Sequence, residues 1–544
     1  MRKNKKYEDL QVIFCCNLTA VKNQAAQWIF NAEIPFGIGY MDQDNNPKIV
    51  NNFNCKKDKD RIVIICSPSV ASWLLSNNKN GTASDKYILF HDEPTVGADI
   101  AGSNSLNENV SVMMNPAKWT ILSSATLPSS EKLSPFINRY RTKYNDADIV
   151  NVYSNKIKIA CDIVTYDGNI VVPHMRCENK EELEHLINKI DMNPFLGRSY
   201  TPNVLETLCN AMKEHNLPTL DIDEVFSNVD NLMADKVREI TLNVLRDLLN
   251  YDNDVIKSIC SCVAPTQELR KVVEKKEDSS EDDFIWEDEE ETETTDKIIF
   301  NKLGTTEAHK FMQMTLITSL NPINFAINNF RELLDIVIED KRSISKFLSE
   351  YKRDLAKWKK KYDRLEKDYQ DEMKLSMKQQ ELEEIKPKMN FSSKYQINTL
   401  KHIRKYARGT DRIINPSFVR ETLDITNINT TDMNVSDEIL FLLFCGVGIY
   451  SPSSSQLNNH YLKTVLDMAQ KGKLAYLVSD SSICYGTNYP IGCTIFDENF
   501  SSHHSISTIF QLISRAGRVG QSWVAKSVID NVCADKILDY AKQD

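Results

Sequence analysis

The stretch ILFHDEPTVGADI, Ile88 to Ile100, begins as an apolar run and stops on two acids, Asp92 and Glu93. A short run with no polar alternation fits a strand buried on both faces, as in a parallel sheet covered by helices. Such sheets bind ligands at the carboxyl ends of their strands, so paired acids at a strand tip are placed to meet a nucleotide's metal ion. By themselves the same letters also suit a surface turn. The flanking sequence decides for the sheet. QVIFCC (Gln11 to Cys16), RIVIIC (Arg61 to Cys66), YILF (Tyr87 to Phe90) and WTILSS (Trp119 to Ser124) are short and rich in Ile and Val. Helical stretches such as AVKNQAAQWIF and SVASWLL lie between them, which predicts a doubly wound α/β unit over the first 160 residues.

Farther along, Thr201 to Val263 reads as helical, and Glu277 to Asp296 carries twelve acids. That density repels itself and cannot build a core, so 266–298 is expected to be a disordered acidic linker. A second α/β unit is expected over 299–335 and 436–544, beginning with the strand MTLITS (Met314 to Ser319). Ile344, Leu348, Tyr351, Leu355, Trp358, Tyr362, Leu365 and Tyr369 alternate spacings of four and three, a heptad seam on a long charged helix. The seam predicts a helical arm, 336–435, inserted in the second unit and packed on a helix of the same chain; a dimerising coiled coil is the alternative. The segment 161–265 is expected to be a mainly helical connection.

Composition narrows the function classes. At 544 residues the chain holds several cores, and a net charge of −10 argues against a coat protein held to nucleic acid by bulk attraction. A locally basic groove is still allowed, and KHIRKYARGTDR (Lys401 to Arg412) is a candidate contact, though a solvated helix face reads as well. The 13 cysteines include no CxxC pair, which points to reduced buried thiols rather than zinc. No apolar run reaches bilayer-spanning length and the first residues lack a signal peptide's apolar core, so the expectation is a cytoplasmic or nuclear protein with no membrane partner.

Chemistry concentrates at three places. Asp92 is a candidate for holding Mg²⁺ through water, and Glu93 for orienting or deprotonating an attacking water, roles that demand a rigid strand end. Ser124-Ala125-Thr126 ends the next strand, where Ser124 and Thr126 can hydrogen-bond the acids and relay the nucleotide state. In QLISRAGRVGQ, Gln511, Arg515 and Arg518 are spaced i, i+4, i+7, so a helix would project all three from one face. A permanently charged guanidinium suits the charge that develops on a γ-phosphate.

These segments in this order resemble a superfamily 2 helicase, and the set is most similar to the Ski-type DExH branch. Asp92-Glu93 resembles motif II, Ser124-Ala125-Thr126 motif III, the loop Gly486-Thr487-Asn488-Tyr489-Pro490 motif V, and Gln511 to Arg518 motif VI. Asn17-Leu18-Thr19-Ala20-Val21 with Gln24 resembles motif Ia, Cys66-Ser67-Pro68 motif Ib, and Leu316-Ile317-Thr318-Ser319 motif IV. The resemblance covers about 1–160, 299–335 and 436–544. It implies a fold of two RecA-like parallel-sheet domains with a helical insertion in the second. It implies ATP and Mg²⁺ as cofactors, with Asp92, Glu93, Gln511, Arg515 and Arg518 catalytic and Gly486 and Asn488 against the nucleotide. It also implies a single-stranded or structured nucleic-acid partner, RNA ahead of DNA, touched by Asn17, Thr19, Gln24, Ser67, Pro68, Thr318 and Asp480. The heptad arm over 340–380 or the acidic linker could recruit a protein partner.

Two departures stand out. Asp-Glu-Pro-Thr also occurs in transporter-type ATPases, but the LSGGQ signature those need is not found before the strand. Thr95 stands where a helicase carries His or Asp, which leaves open how motif II touches motif VI. No GxxxxGK[ST] loop exists in the sequence, so the phosphate cradle is missing. The expectation is a helicase part whose motif I lies upstream or in another polypeptide; the rivals are a catalytically inactive helicase-like nucleic-acid binder and a scaffold. The Asn-, Lys- and Ile-heavy composition suggests an AT-rich genome, such as that of a large DNA virus.

Overall fold

The computed structural model describes residues 10–542 other than 53, 77–85, 101, 146, 263–297, 312, 342, 369–371, 386–390, 408–418, 424, 426–427, 429, 431, 485–488 and 518–524. The chain forms two compact units. One comprises Met1–Ser154, Ser482–Asn488 and His503–Leu512; the other comprises Asn155–Ser481, Tyr489–Ser502 and Ile513–Asp544.

The first unit is built on β1 (Gln11–Cys15), α1 (Thr19–Asn31), β2 (Phe36–Met41), β3 (Pro47–Asn51), β4 (Val63–Cys66), α2 (Pro68–Ser76), β5 (Tyr87–Asp92), α3 (Asn104–Met113), β6 (Trp119–Ser123) and α4 (Ser134–Lys143). Its six strands run in the order β3-β2-β4-β1-β5-β6. All pairings are parallel except the β2–β3 hairpin. That hairpin was not expected from the sequence. Its turn is fixed by Asp42, whose Oδ1 accepts from the backbone N–H groups of Asp44 and Asn46 at 3.0 and 2.8 Å, with Asn45 at φ 58°. On one face Ile13, Cys15, Ile64, Cys66 and Leu89 pack against α2 and α3; on the other, Phe36, Val63 and Ile65 pack with Ala26 and Ile29 of α1.

The second unit holds β7 (Cys161–Thr165), β8 (Met314–Thr318), β9 (Val447–Tyr450), β10 (Tyr476–Ser479), β11 (Ile491–Phe496) and β12 (Ala525–Ile529), in the order β7-β12-β11-β8-β10-β9. Every pairing is parallel. These strands are almost wholly buried, which explains their continuous apolar runs. The expected class, two parallel α/β units with a helical insertion in the second, is what the structure shows: helices lie between β8 and β9. In that insertion helix Ile344–Asp368 packs against Glu372–Glu384, and Trp358 Nε1 donates to Leu382 O at 2.7 Å.

One segment departs from its expectation. The expected connection 161–265 is mainly helical from Lys180 to Cys260, but Cys161–Thr165 is the edge strand of the second sheet, paired with β12 from near the other end of the sequence. The acidic linker, apart from Ile298, lies outside the described residues, as do Tyr369 of the seam and residues 408–412 of the basic patch.

Candidate nucleotide site at the tips of β5 and β6

β5 and β6 pair with Asp92 opposite Ser123, so the acids and the Ser-Ala-Thr segment leave the sheet side by side. Asp92 is half-buried. Burial pushes its carboxyl up from the ordinary range, and a hydrogen bond from Ser123 opposes that shift in part. Glu93 is 7% exposed and sits at φ 51°, a left-handed conformation uncommon for a residue with a Cβ. Its N–H donates to Ser123 O at 2.7 Å, and its Oε2 accepts from Ser124 Oγ at 2.7 Å. The turn is thus held from both backbone and side chain, and the pair of acids is presented on a fixed frame.

Ser124 and Thr126 each hold two partners. Ser124 Oγ also accepts from Thr126 N at 3.3 Å, and Thr126 Oγ1 accepts from Gln511 Nε2 at 2.5 Å. Gln511 is 2% exposed and lies on helix Ile506–Ile513, whose segment 503–512 belongs to the first unit. Side chains from the three sequence segments therefore form one chain of hydrogen bonds: Glu93, Ser124, Thr126, Gln511.

The helical face expected to carry Gln511 and Arg515 together is not formed. The helix ends at Ile513; Ala516 N closes a turn on Ile513 O, and Gly517, at φ 73°, donates its N–H to Ile491 O in β11. Arg198 fixes this departure. Half-buried and donating from Nη1 to Ile513 O at 3.4 Å, from Nη2 to Ala516 O at 2.7 Å and from Nε to Ile159 O at 3.1 Å, it takes up carbonyls that a continuing helix would have used. Arg515 lies in the turn, 8% exposed. Arg518, Gly486 and Asn488 lie outside the described residues.

Thr95 Oγ1 is buried and has no hydrogen-bond partner among the described residues. The link to the Gln511 helix runs through Asp99 instead, which accepts from Ser505 N at 3.2 Å and from Thr508 Oγ1. Burial alone would push the Asp99 carboxyl up; the donors Ser505 and Thr508 together with nearby His504 hold it below the ordinary range. Nothing in the sequence singled out Asp99, since a lone acid after a Gly-Ala pair has no distinguishing pattern. Two more residues went unread. His91 is fully buried behind the acids, and its Nε2–H donates to Asn109 Oδ1 at 3.1 Å, while Asn109 Nδ2 donates to Val96 O at 3.4 Å. Burial lowers the His91 pKa to about 4, so it is neutral at pH 7 and ties the acidic turn to α3.

The residues assigned to a nucleic-acid strand fall in both units. Asn17 Nδ2 donates to Ser105 O at 3.4 Å, Thr19 is exposed at the start of α1, and Gln24 is half-buried. Ser67 Oγ and Ser69 Oγ share a 2.8 Å bond ahead of α2, whose first residue, Pro68, is buried. In the second unit Asp480 accepts from Ser451 Oγ at 2.6 Å. Thr318 is fully buried and donates to Ile495 O at 3.4 Å, so its side chain is not presented to a strand.

The described cysteines are free thiols, buried except for half-buried Cys262, and no cluster of three His, Cys, Asp or Glu able to hold a metal occurs among the described residues. No helix among the described residues is long and apolar enough to cross a membrane.

No protein-family profile matches the sequence, and no curated protein matches it. Among solved structures, the Mycobacterium smegmatis helicase Lhr bound to ssDNA and AMP-PNP aligns over 98% of this chain and 42% of its own, at 10% identity and a TM-score of 0.37. The S. cerevisiae protein Dbp5 bound to RNA and ADP BeF3 aligns over 99% of this chain and 76% of its own, at 9% identity and a TM-score of 0.34. The chain thus spans less than half the length of Lhr, and likenesses this loose carry no statement about its activity.

Proposed function

We propose that this chain is the hydrolysis and coupling part of a superfamily 2 ATP-dependent nucleic-acid helicase of the Ski-type branch, acting on RNA ahead of DNA. The observation that carries the reading is the hydrogen-bonded chain Glu93–Ser124–Thr126–Gln511, which links three motif-like segments far apart in sequence. A purely structural cluster has no need of two acids at a strand tip, one of them in a strained backbone conformation.

Asp92 fits a magnesium ion held through water: it is a half-buried carboxyl at a strand end, with room for solvent beside it. Glu93, fixed by Ser124, would orient or deprotonate the attacking water, and Arg515 and Arg518 would face the developing charge. Magnesium-bound ATP would contribute the γ-phosphoryl group and the free energy of its hydrolysis. The phosphate side does not fit this sequence by itself, because it contains no GxxxxGK[ST] loop. Gln511 and Asp99 would carry the state of the acids to the Arg515 turn, and the loops bearing Asn17, Thr19, Gln24, Ser67 and Asp480 would grip phosphates with little sequence preference.

The missing cradle favours one second reading, a helicase-like nucleic-acid binder without turnover. Fluorescence anisotropy with labelled single-stranded RNA and DNA of mixed sequence tests what both share. The expected result is sequence-indifferent binding that weakens steeply with salt; no binding of either strand at low salt overturns both. ATP turnover separates them: a complete protein carrying a phosphate-binding loop should hydrolyse ATP and lose this on Arg515→Ala while still holding the strand. Equal turnover in variant and parent sinks the assignment.

A further inference from the structure

The helical connection of the second unit changes character between Leu217 and Met233. The helices on either side cover their apolar faces: Pro202–Glu214 buries Val204, Leu205 and Leu208, and Ala234–Leu248 buries Val237, Leu242 and Leu245. Between them lie the short helix Ile222–Ser227 and the single turn Val229–Leu232, and neither buries a side chain. Over the whole of 217–233 no residue is buried, although eight of its side chains are Leu, Ile, Val, Phe or Met. Leu220 is 37% exposed, Val229 73%, Leu232 48% and Met233 63%.

Single exposed apolar residues are ordinary on a protein surface, whereas a run of them marks a place where something docks. Ordering a chain costs conformational entropy, which burial ordinarily offsets. Here the shape rests on local polar ties instead. Asp221 Oδ1 accepts from Asp223 N at 3.1 Å, Asn228 Oδ1 accepts from Asp230 N at 3.1 Å, and Asn231 Nδ2 donates to Val225 O at 2.7 Å. The last of these holds the turn against the short helix and leaves the apolar groups open to solvent. In a turn of this kind residues three apart eclipse, so Val229 and Leu232 stand one above the other, with Met233 following.

Charge determines what can cover the patch. The stretch carries Asp221, Asp223, Glu224 and Asp230 and no Lys or Arg, and none of the four acids has a cation partner among the described residues. The cations that bound it in sequence are Lys213 and Lys236, and Lys236 is paired with Glu239 at 2.8 Å. These carboxylates repel phosphates, which excludes a nucleic-acid strand, and they repel the acid-rich stretch Glu277 to Asp296 in the same way. A polypeptide whose cations flank an apolar stripe is complementary in both respects.

We infer that 217–233 is the docking surface for a basic amphipathic helix of another polypeptide. The helix lays one apolar face, with the spacing i, i+3, i+4 and i+7, on Val229, Leu232 and Met233, and pairs its Lys and Arg with the four acids. Contact at the apolar centre supplies the affinity, while the rim charges speed encounter and fix orientation. The ties already made by Asp221, Asn228 and Asn231 reduce the ordering that binding must supply.

The test uses the full chain and a short fluorescein-labelled peptide of Leu and Lys with Leu at that helical spacing; a peptide of the same composition with its Leu scattered is the control. Amide hydrogen exchange and fluorescence anisotropy are measured without nucleotide or nucleic acid. At saturating peptide, exchange over 222–233 should slow about tenfold or more. Val229→Asp combined with Leu232→Asp should weaken binding about tenfold or more, and Glu224→Lys should weaken it and flatten its salt dependence. Both apolar side chains are exposed, and unchanged exchange in β9 and β11 verifies that each variant is folded. No slowing over 222–233, or binding that survives these variants, overturns the proposal. Equal binding of the control peptide does so as well, because charge alone then accounts for it. Slowing in the peptide-free chain that grows with concentration, with a doubled sedimenting mass, also overturns it and assigns the patch to a second copy.

Discussion

The acidic pair at the tip of β5 is held in an arrangement that costs stability. Asp92 is kept half-buried with its carboxyl pushed up, and Glu93 is locked in a left-handed turn by Ser123 O and Ser124. The pH sign follows from linkage: a carboxyl raised in the folded state favours folding while it is protonated, and that contribution is lost as pH rises through its folded value. At neutral pH the ionised Asp92 therefore opposes folding. Asp92→Asn should raise the urea midpoint of the first unit, corresponding to a stability gain of at most about 1 kcal/mol because solvent still reaches the group. A lowered midpoint would show that the carboxylate is stabilised by a partner, and the description of its surroundings would be wrong.

At the scale of elements, the segment bearing Arg515 illustrates how a helix is stopped by a side chain from elsewhere. Spacing alone would continue the helix through Arg518, yet Arg198 draws off the carbonyls of Ile513 and Ala516 and Gly517 turns the backbone into contact with β11. A Cβ on Gly517 would lie 2.7 Å from both Ala525 Cβ and Ile159 Cγ2, in a backbone conformation that L side chains rarely adopt. Gly517→Ala should therefore destabilise the second unit by about 1–3 kcal/mol, read as a lower urea midpoint. An unchanged midpoint would mean that the turn is not packed as described. The helix that carries the heptad seam, Ile344–Asp368, meets Glu372–Glu384 of the same chain, where Trp358 Nε1 donates to Leu382 O.

For the whole molecule, three buried histidines make stability depend on mild acid. Burial lowers His91, His174 and His402 to about 4 each, while an unfolded chain titrates near the ordinary histidine value of 6.5. Between these values the unfolded state binds more protons, so folding weakens as pH falls from about 6.5 toward 4. The loss should be on the order of 1–3 kcal/mol per histidine. His91 belongs to the first unit and the other two to the second, so both transitions should move. Urea midpoints at pH 7 and pH 5 check this, with His91→Gln flattening the slope of the first unit alone. Midpoints that do not move would remove these histidines from the account of stability.

The sequence by itself determined the class of the fold and the places where acids and hydroxyls meet strand tips. Apolar runs such as RIVIIC and YILF encode burial on both faces locally, and Asp92, Glu93, Ser124 and Thr126 inherit their positions from those runs. What only the tertiary structure decided depends on partners distant in the chain, which no local period records. Arg198 stops a helix more than 300 residues away, Asp99 makes the contact that the sequence left open at Thr95, and Cys161–Thr165 joins a sheet whose neighbouring strand lies past residue 520.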